Sequence, residues 1–377
     1  MSLAIVDARE WQNLLDLRTG KKVQDDSPQT RMVRELLARH PYPGDVSAES
    51  NRWVTEAALD LVRAYCPDLA FVFYSHQFFA GRYTPMSEDQ RRSMIEGVFG
   101  EVNRFVGESG YTPVIVGTGD MVEVAGEIDM SKVDGTAISS HWSARYAGLH
   151  RPSQRDLDHV ASLPQIERVV PRQEWISLMG NAGHDPARIP EYLLVAKEGW
   201  TFVTTGVPLR KALRVPGAGY SIPVATSLGE PQTILEIRKL IERNLENSKI
   251  ALIILEGIGA RDFLIPHASC NNSVGWYYYE PGDGQYLSMT TGTHQVFAYP
   301  TGYQYHDEND AKRDFPFSGY FLSIPEHTLG RDFSGKSVAV GNHSMFVHTV
   351  FGADICIECF ARNLYNQGCL GVIHSFK

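Results

Sequence analysis

The chain has 377 residues, 43% of them hydrophobic and 21% charged, with a net charge of −9. This is an ordinary globular composition, long enough for one large or two ordinary domains with a core that needs no covalent staples. The acidic balance argues against nucleic acid or an anionic membrane as main partner, since both select basic surfaces, but leaves room for a local site that holds a small anion.

Ser27–Arg39 is expected to be a helix with Met32, Val33, Leu36 and Leu37 on one face, broken by Pro41 and Pro43. A second helix follows from Val54, Ala57, Ala58, Leu61, Val62 and Tyr65, and Pro67-Asp68 ends it. Leu69–Tyr74 is a short apolar run that reads as a buried strand. Ser87 is a plausible N-cap for a long helix marked by Met94, Ile95, Val98, Phe99, Val102, Phe105 and Val106. Pro113–Val116 is then a second buried strand, followed by Gly117-Thr118-Gly119-Asp120. Strand, helix, strand of these lengths is a βαβ unit, which makes the two strands parallel. Ile166–Val170, Tyr192–Ala196 and Trp200–Val203 are further strand candidates, and Pro208–Pro223 reads as a connection. Ile234–Leu245 is helical in pattern, and Ile250–Leu255 is a very apolar strand ending in Glu256-Gly257-Ile258-Gly259. Beyond about residue 265 turns and aromatics become frequent, with a strand at Ser337–Val340 and a strand-then-helix pattern from Phe346 to Leu364. The fold class expected is α/β, a mainly parallel sheet flanked by helices, with a strand- and turn-rich C-terminal third. Residues 1–264 read as an α/β domain. Residues 265–377 read as an α+β region that either extends the same sheet or forms an interface.

No apolar run reaches the roughly 18–20 residues of a membrane span, and Met1–Asp7 lacks the basic and apolar regions of a secretory signal. The cysteines, Cys66, Cys270, Cys356, Cys359 and Cys369, are few and odd in number, which fits a reduced cytoplasmic setting.

In open parallel sheets, ligands sit beyond the carboxyl ends of the strands. Two strands end there in glycine-flanked carboxylates, Asp120 and Glu256. Either acid could serve as metal ligand or acid/base group, or simply cap the following loop. Glu127–His150 holds mixed oxygen and nitrogen donors, with His141 a candidate catalytic group and Arg145 a candidate anion contact. In LSMTTGTH, Thr290 or Thr291 could supply a hydroxyl nucleophile and His294 a substrate contact, although a plain strand and turn explain the run equally well. His267 and Cys270 offer a weaker base–thiol pair, and Cys356 and Cys359 a lone C-x-x-C. His343 and His348 lie close in sequence but do not align on one face.

The stretch from Asp60 to Phe202 resembles the later half of nucleotide pyrophosphatase/phosphodiesterase-like members of the alkaline phosphatase superfamily. AYCPDLAFVFYSHQFFAG and YTPVIVGTGDM share that family's order of helix, Pro-Asp, strand, polar turn, long helix and second strand. LPQIERVVPRQEW and RIPEYLLVAKEGWTF match its later short strands. The resemblance implies a metal-dependent hydrolase of a phosphate ester or related small anion, using a divalent ion such as Zn²⁺, Mn²⁺ or Mg²⁺. Asp120 falls on the metal-binding Asp of the family's Asp-His-Gly, with Met121 where the His would stand. His76 is the one His in the turn after the first strand. IALIILEGIG followed by LSMTTG is similar to the family's opening strand and nucleophile, with Glu256 in place of Asp and in permuted order. The expected metal ligands are therefore Asp120, Glu256 and His76. The alternative is a non-catalytic relative serving in binding or assembly, with the aromatic-rich C-terminal third as an interface. A homo-oligomer is expected.

Overall fold

A computed structural model describes residues 2–7, 13–15, 26–44, 47–139, 145–180, 190–202, 211–295, 327–344, 351–359 and 369–374. Three of its apolar runs are neighbours. Ile250–Leu255 lies between Thr112–Gly117 and Leu69–Tyr74, parallel to both. Every residue of Ile250–Leu255 and Leu69–Tyr74 is buried, which is why both read as continuous apolar runs without alternation. Ser337–Ser344 pairs parallel to Leu69–Tyr74 on its other side, then Ile355–Cys359 and Ser2–Asp7 continue the parallel run. Ser221–Thr226 and Ala268–Asn271 close one edge antiparallel, and Cys369–His374 and Asn13–Leu15 close the other, giving ten strands among the described residues. Strands from both halves of the chain thus share one sheet.

Helices cover both faces. Ala70, Val72, Tyr74, Ala251, Ile253 and Leu255 pack under the helices Pro28–Arg39, Ser50–Tyr65 and Glu88–Ser109. Leu69, Phe71, Phe73, Leu252 and Ile254 meet residues of Glu236–Asn244 and Asp283–Thr291 on the opposite face. The long helix begins with a capping box between Ser87 and Gln90, which satisfies two otherwise unpaired N–H groups, and stops at Gly110 in the left-handed region. Leu252 is fully buried in a strand paired on both sides. Leu252→Ala should destabilise the fold by about 2–5 kcal/mol, read as a lower urea midpoint with the m-value unchanged.

Three segments depart from the sequence-based expectation. Pro208–Pro223, expected as a connection, contains the strand Arg214–Pro216 and the start of Ser221–Thr226. Pro223 is tolerated because pairing with Thr112–Gly117 begins only at Val224. Thr290 and Thr291, expected in a strand or a phosphate cradle, sit in the helix Asp283–Thr291, which ends at Gly292 in the left-handed region. β-branched residues favour strands in general, but here both hydroxyls donate to carbonyls one turn back and fit the helix. Ile355–Cys359 is a strand rather than the helix expected after Phe346: Ile355, Cys356 and Ile357 are buried, and the segment pairs with a strand on each side. The strand expected to open that pattern, at residues 346–350, lies outside the described residues.

Between Thr112–Gly117 and Ser221–Thr226 the chain builds a small antiparallel sheet ordered Thr136–Ser139, Tyr146–His150, Tyr192–Ala196, Ile166–Pro171. Asp156 ties it to the helix Gln154–Ser162. Its carboxylate accepts from the Asp134, Gly135 and Ser153 backbone N–H groups and the Ser153 hydroxyl. Those donors hold its pKa down at about 2, from an ordinary 3.8. A depressed folded-state pKa means stabilisation present above the unfolded value and lost as pH falls through the folded one. Asp156→Ala should therefore unfold at lower urea than the parent at pH 7, and the gap should close as pH falls from 3.8 towards about 2.

Candidate active site

Parallel pairing in register places Tyr74, Leu255 and Gly117 side by side. The residues that follow, Ser75, Glu256 and Thr118, consequently share the carboxyl edge of the sheet, where backbone ends leave room for a ligand.

On one side of Glu256 an amide network staples the strand ends. The Gln77 side-chain NH₂ donates to the Tyr74 and Glu256 carbonyls at 2.7 and 2.8 Å. The Gln77 carbonyl accepts from Asn51 Nδ2, and Asn342 bridges Asn51, Ser50 and Ser75. On the other side stands the Thr118–Asp120 turn. Thr118 Oγ1 accepts from the Gly257 N–H at 2.9 Å, and its carbonyl accepts from Gln285 Nε2 at 3.0 Å. The Gly119 N–H donates to the Ile258 carbonyl, and the Asp120 carbonyl accepts from the Gly217 N–H. Gly119 has φ +128°, a backbone state that glycine adopts without strain.

The turn is thus pinned by four bonds, yet among the described residues Asp120 Oδ1 is buried with no hydrogen-bond partner. The carboxyl lies against Gly259, where a Cβ would come within 2.3 Å of both its Cγ and the Asp120 backbone nitrogen. Burial pushes the Asp120 pKa up, and repulsion from Asp262 adds to this, while Arg261 and Arg91 oppose it. Asp262 is itself clamped by the Arg91 guanidinium at 2.5 and 3.0 Å, from the long helix.

Glu256 is almost wholly buried, and its Oε1 accepts from the Tyr286 hydroxyl at 2.8 Å. The two carboxylates therefore stand on neighbouring strand ends and face different partners, Asp120 the Gly259–Asp262 turn and Glu256 the helix Asp283–Thr291. His76 opens the helix His76–Tyr83 on the third strand end and is buried. Where a polar turn was expected, there is a helix.

The other sequence-derived candidates that the structure describes make their contacts away from Asp120 and Glu256. Arg145 is buried in the small sheet, donating to the Ala196 carbonyl and Glu167 and stacked 4.6 Å over the Tyr278 ring. Thr290 and Thr291 donate inside their own helix. His294 Nδ1 lies 3.0 Å from the Tyr279 hydroxyl, and burial lowers its pKa. His141 and His348 lie outside the described residues. Burial, with Glu236 nearby, pushes the Cys270 thiol up to about 12, far from the thiolate a nucleophile requires. Gln77, Asn342, Gln285 and Tyr286 carry no motif in sequence, since most of their partners are distant along the chain.

Two carboxylates, one with an oxygen free of hydrogen bonds, are the hard donors a divalent ion prefers. Among the described residues, however, no group of three or more His, Cys, Asp or Glu is arranged to hold a metal ion. These residues alone do not complete a metal centre. No helix among the described residues is long and apolar enough to cross a membrane. Comparison with protein-family models and with curated protein sequences returned no match.

Proposed function

We propose that this chain hydrolyses a phosphate ester or a related anionic small molecule at the carboxyl edge formed by Thr118–Asp120, Glu256 and Ser75–His76. The observation that carries this reading is Asp120, whose turn is fixed by backbone bonds while its buried Oδ1 has no partner among the described residues. A buried polar atom without a partner costs stability, so its retention calls for a role. A carboxyl whose pKa is raised by burial suits proton transfer to or from a reacting group nearer neutral pH than a solvated aspartate does. The family resemblance adds a divalent ion to the proposal, and the sparse cysteines add a cytoplasmic setting.

The test is turnover of nitrophenyl phosphate mono- and diesters by the purified full chain, with Zn²⁺, Mn²⁺ and Mg²⁺ each supplied in turn. Turnover that needs one of these ions supports the reading. No turnover with any, and no metal by elemental analysis, would sink it. A second reading, a non-catalytic relative that binds or assembles, is favoured by the commitment of Gln77 and Glu256 Oε1 to hydrogen bonds within the fold. It predicts no turnover together with a stable homo-oligomer in sedimentation.

A further inference from the structure

We propose that the helix Asp283–Thr291 sets the relative placement of the two carboxylates, with Gln285 and Tyr286 as its positioning residues. This rests on the hydrolytic reading of the edge. Adjacent residues of a helix point about 100° apart, so Gln285 and Tyr286 reach different strand ends from one backbone. Gln285 Nε2 holds the Thr118 carbonyl at 3.0 Å, two residues before Asp120. The Tyr286 hydroxyl holds Glu256 Oε1 at 2.8 Å.

Each side chain is in turn fixed. The Tyr286 ring stands edge-on to Phe73 with centroids 4.9 Å apart, which locks it to the third strand. Gln285 Nε2 also donates to Asn272 Oδ1, and Asn272 Nδ2 donates to the Gly219 and Tyr279 carbonyls. One helical turn thereby spans Leu69–Tyr74, Thr112–Gly117 and Ile250–Leu255. Gln285 is fully buried, yet its Oε1 has no hydrogen-bond partner among the described residues. Packing alone would favour an apolar side chain there over an amide with an unsatisfied oxygen. What the amide supplies is its donor side, and that side is aimed at the Asp120 turn.

Tyr286→Phe keeps the ring and removes one hydroxyl, and Gln285→Leu removes the donor to Thr118. Both variants are compared with the parent as full chains, at a temperature where cooperative unfolding shows each is folded. For Tyr286→Phe, kcat should fall about 10- to 100-fold with KM nearly unchanged, because a displacement of about 1 Å costs on that order. Gln285→Leu should act in the same direction. Crystal structures of the parent and both variants give a readout that needs no substrate. The Glu256 carboxylate should move in Tyr286→Phe and the Thr118–Asp120 turn in Gln285→Leu. Unchanged kcat in both variants, alongside an active parent, overturns the positioning role and leaves the hydrolase standing. If the parent has no activity, the hydrolase reading fails on its own, and the crystallographic displacement alone decides the positioning, with unmoved carboxylates overturning it.

Discussion

Asp120→Asn should reduce turnover by at least about 100-fold, the usual contribution of a positioned acid or base. Asparagine has nearly the same shape, so the bonds to Ile258, Gly217, Gly257 and Gln285 that hold the turn should survive. The expected loss is therefore in kcat rather than in folding. Stability should move the other way. The folded-state pKa of Asp120 is raised, so its favourable contribution is present below the ordinary aspartate value and lost as pH rises through the raised one. The asparagine variant carries no such dependence. Relative to the parent it should gain stability as pH rises across the acidic range, seen in urea midpoints taken at several pH values. A variant that is both inactive and unfolded would instead mark Asp120 as a structural residue.

The second large effect is expected at Gly259. An alanine Cβ there would overlap the Asp120 Cγ and backbone nitrogen, both at 2.3 Å. Neither is the far end of a flexible chain, so the Gly259–Asp262 turn and the Asp120 turn must move apart. Overpacking of this kind costs about 1–3 kcal/mol. The same movement displaces Asp120, so Gly259→Ala should lose activity on the scale of Asp120→Asn although it removes no functional group. Gly257→Ala perturbs the loop as a whole, because the Gly257 N–H also holds Thr118 Oγ1. Gly257, at φ +73°, is strained by any side chain, but its Cβ meets Phe78 rather than Asp120. Retention of activity in Gly259→Ala would show that Asp120 does not need its present position.

The parts of the fold legible in sequence are those with local causes. LAFVFY and IALIIL are apolar on both faces because helices cover both sides of their strands. Ser87 announces a helix start, and in the structure it and Gln90 cap each other across three residues. The βαβ unit predicts parallel strands, and Leu69–Tyr74 and Thr112–Gly117 are parallel. They are not neighbours, because Ile250–Leu255, from much later in the chain, inserts between them. No local pattern carries that insertion, and it is what brings Glu256 beside the Asp120 turn. The helical state of Thr290 and Thr291 was hidden for a related reason. Their β-branched side chains favour strands, and tertiary packing against the sheet overrides that preference. In sequence Arg145 reads as a cation for an anion, and its commitment to Glu167 and the Ala196 carbonyl depends on how the small antiparallel sheet folds back on itself.

The most direct test of the central claim, that the carboxyl edge is the reaction centre, is a crystal structure of the full chain grown with orthovanadate and Mn²⁺. Vanadate density at the strand ends bordering Asp120 and Glu256 is the predicted result. Density seated elsewhere, for example beside Arg145, in a preparation that still turns over phosphate esters would contradict it.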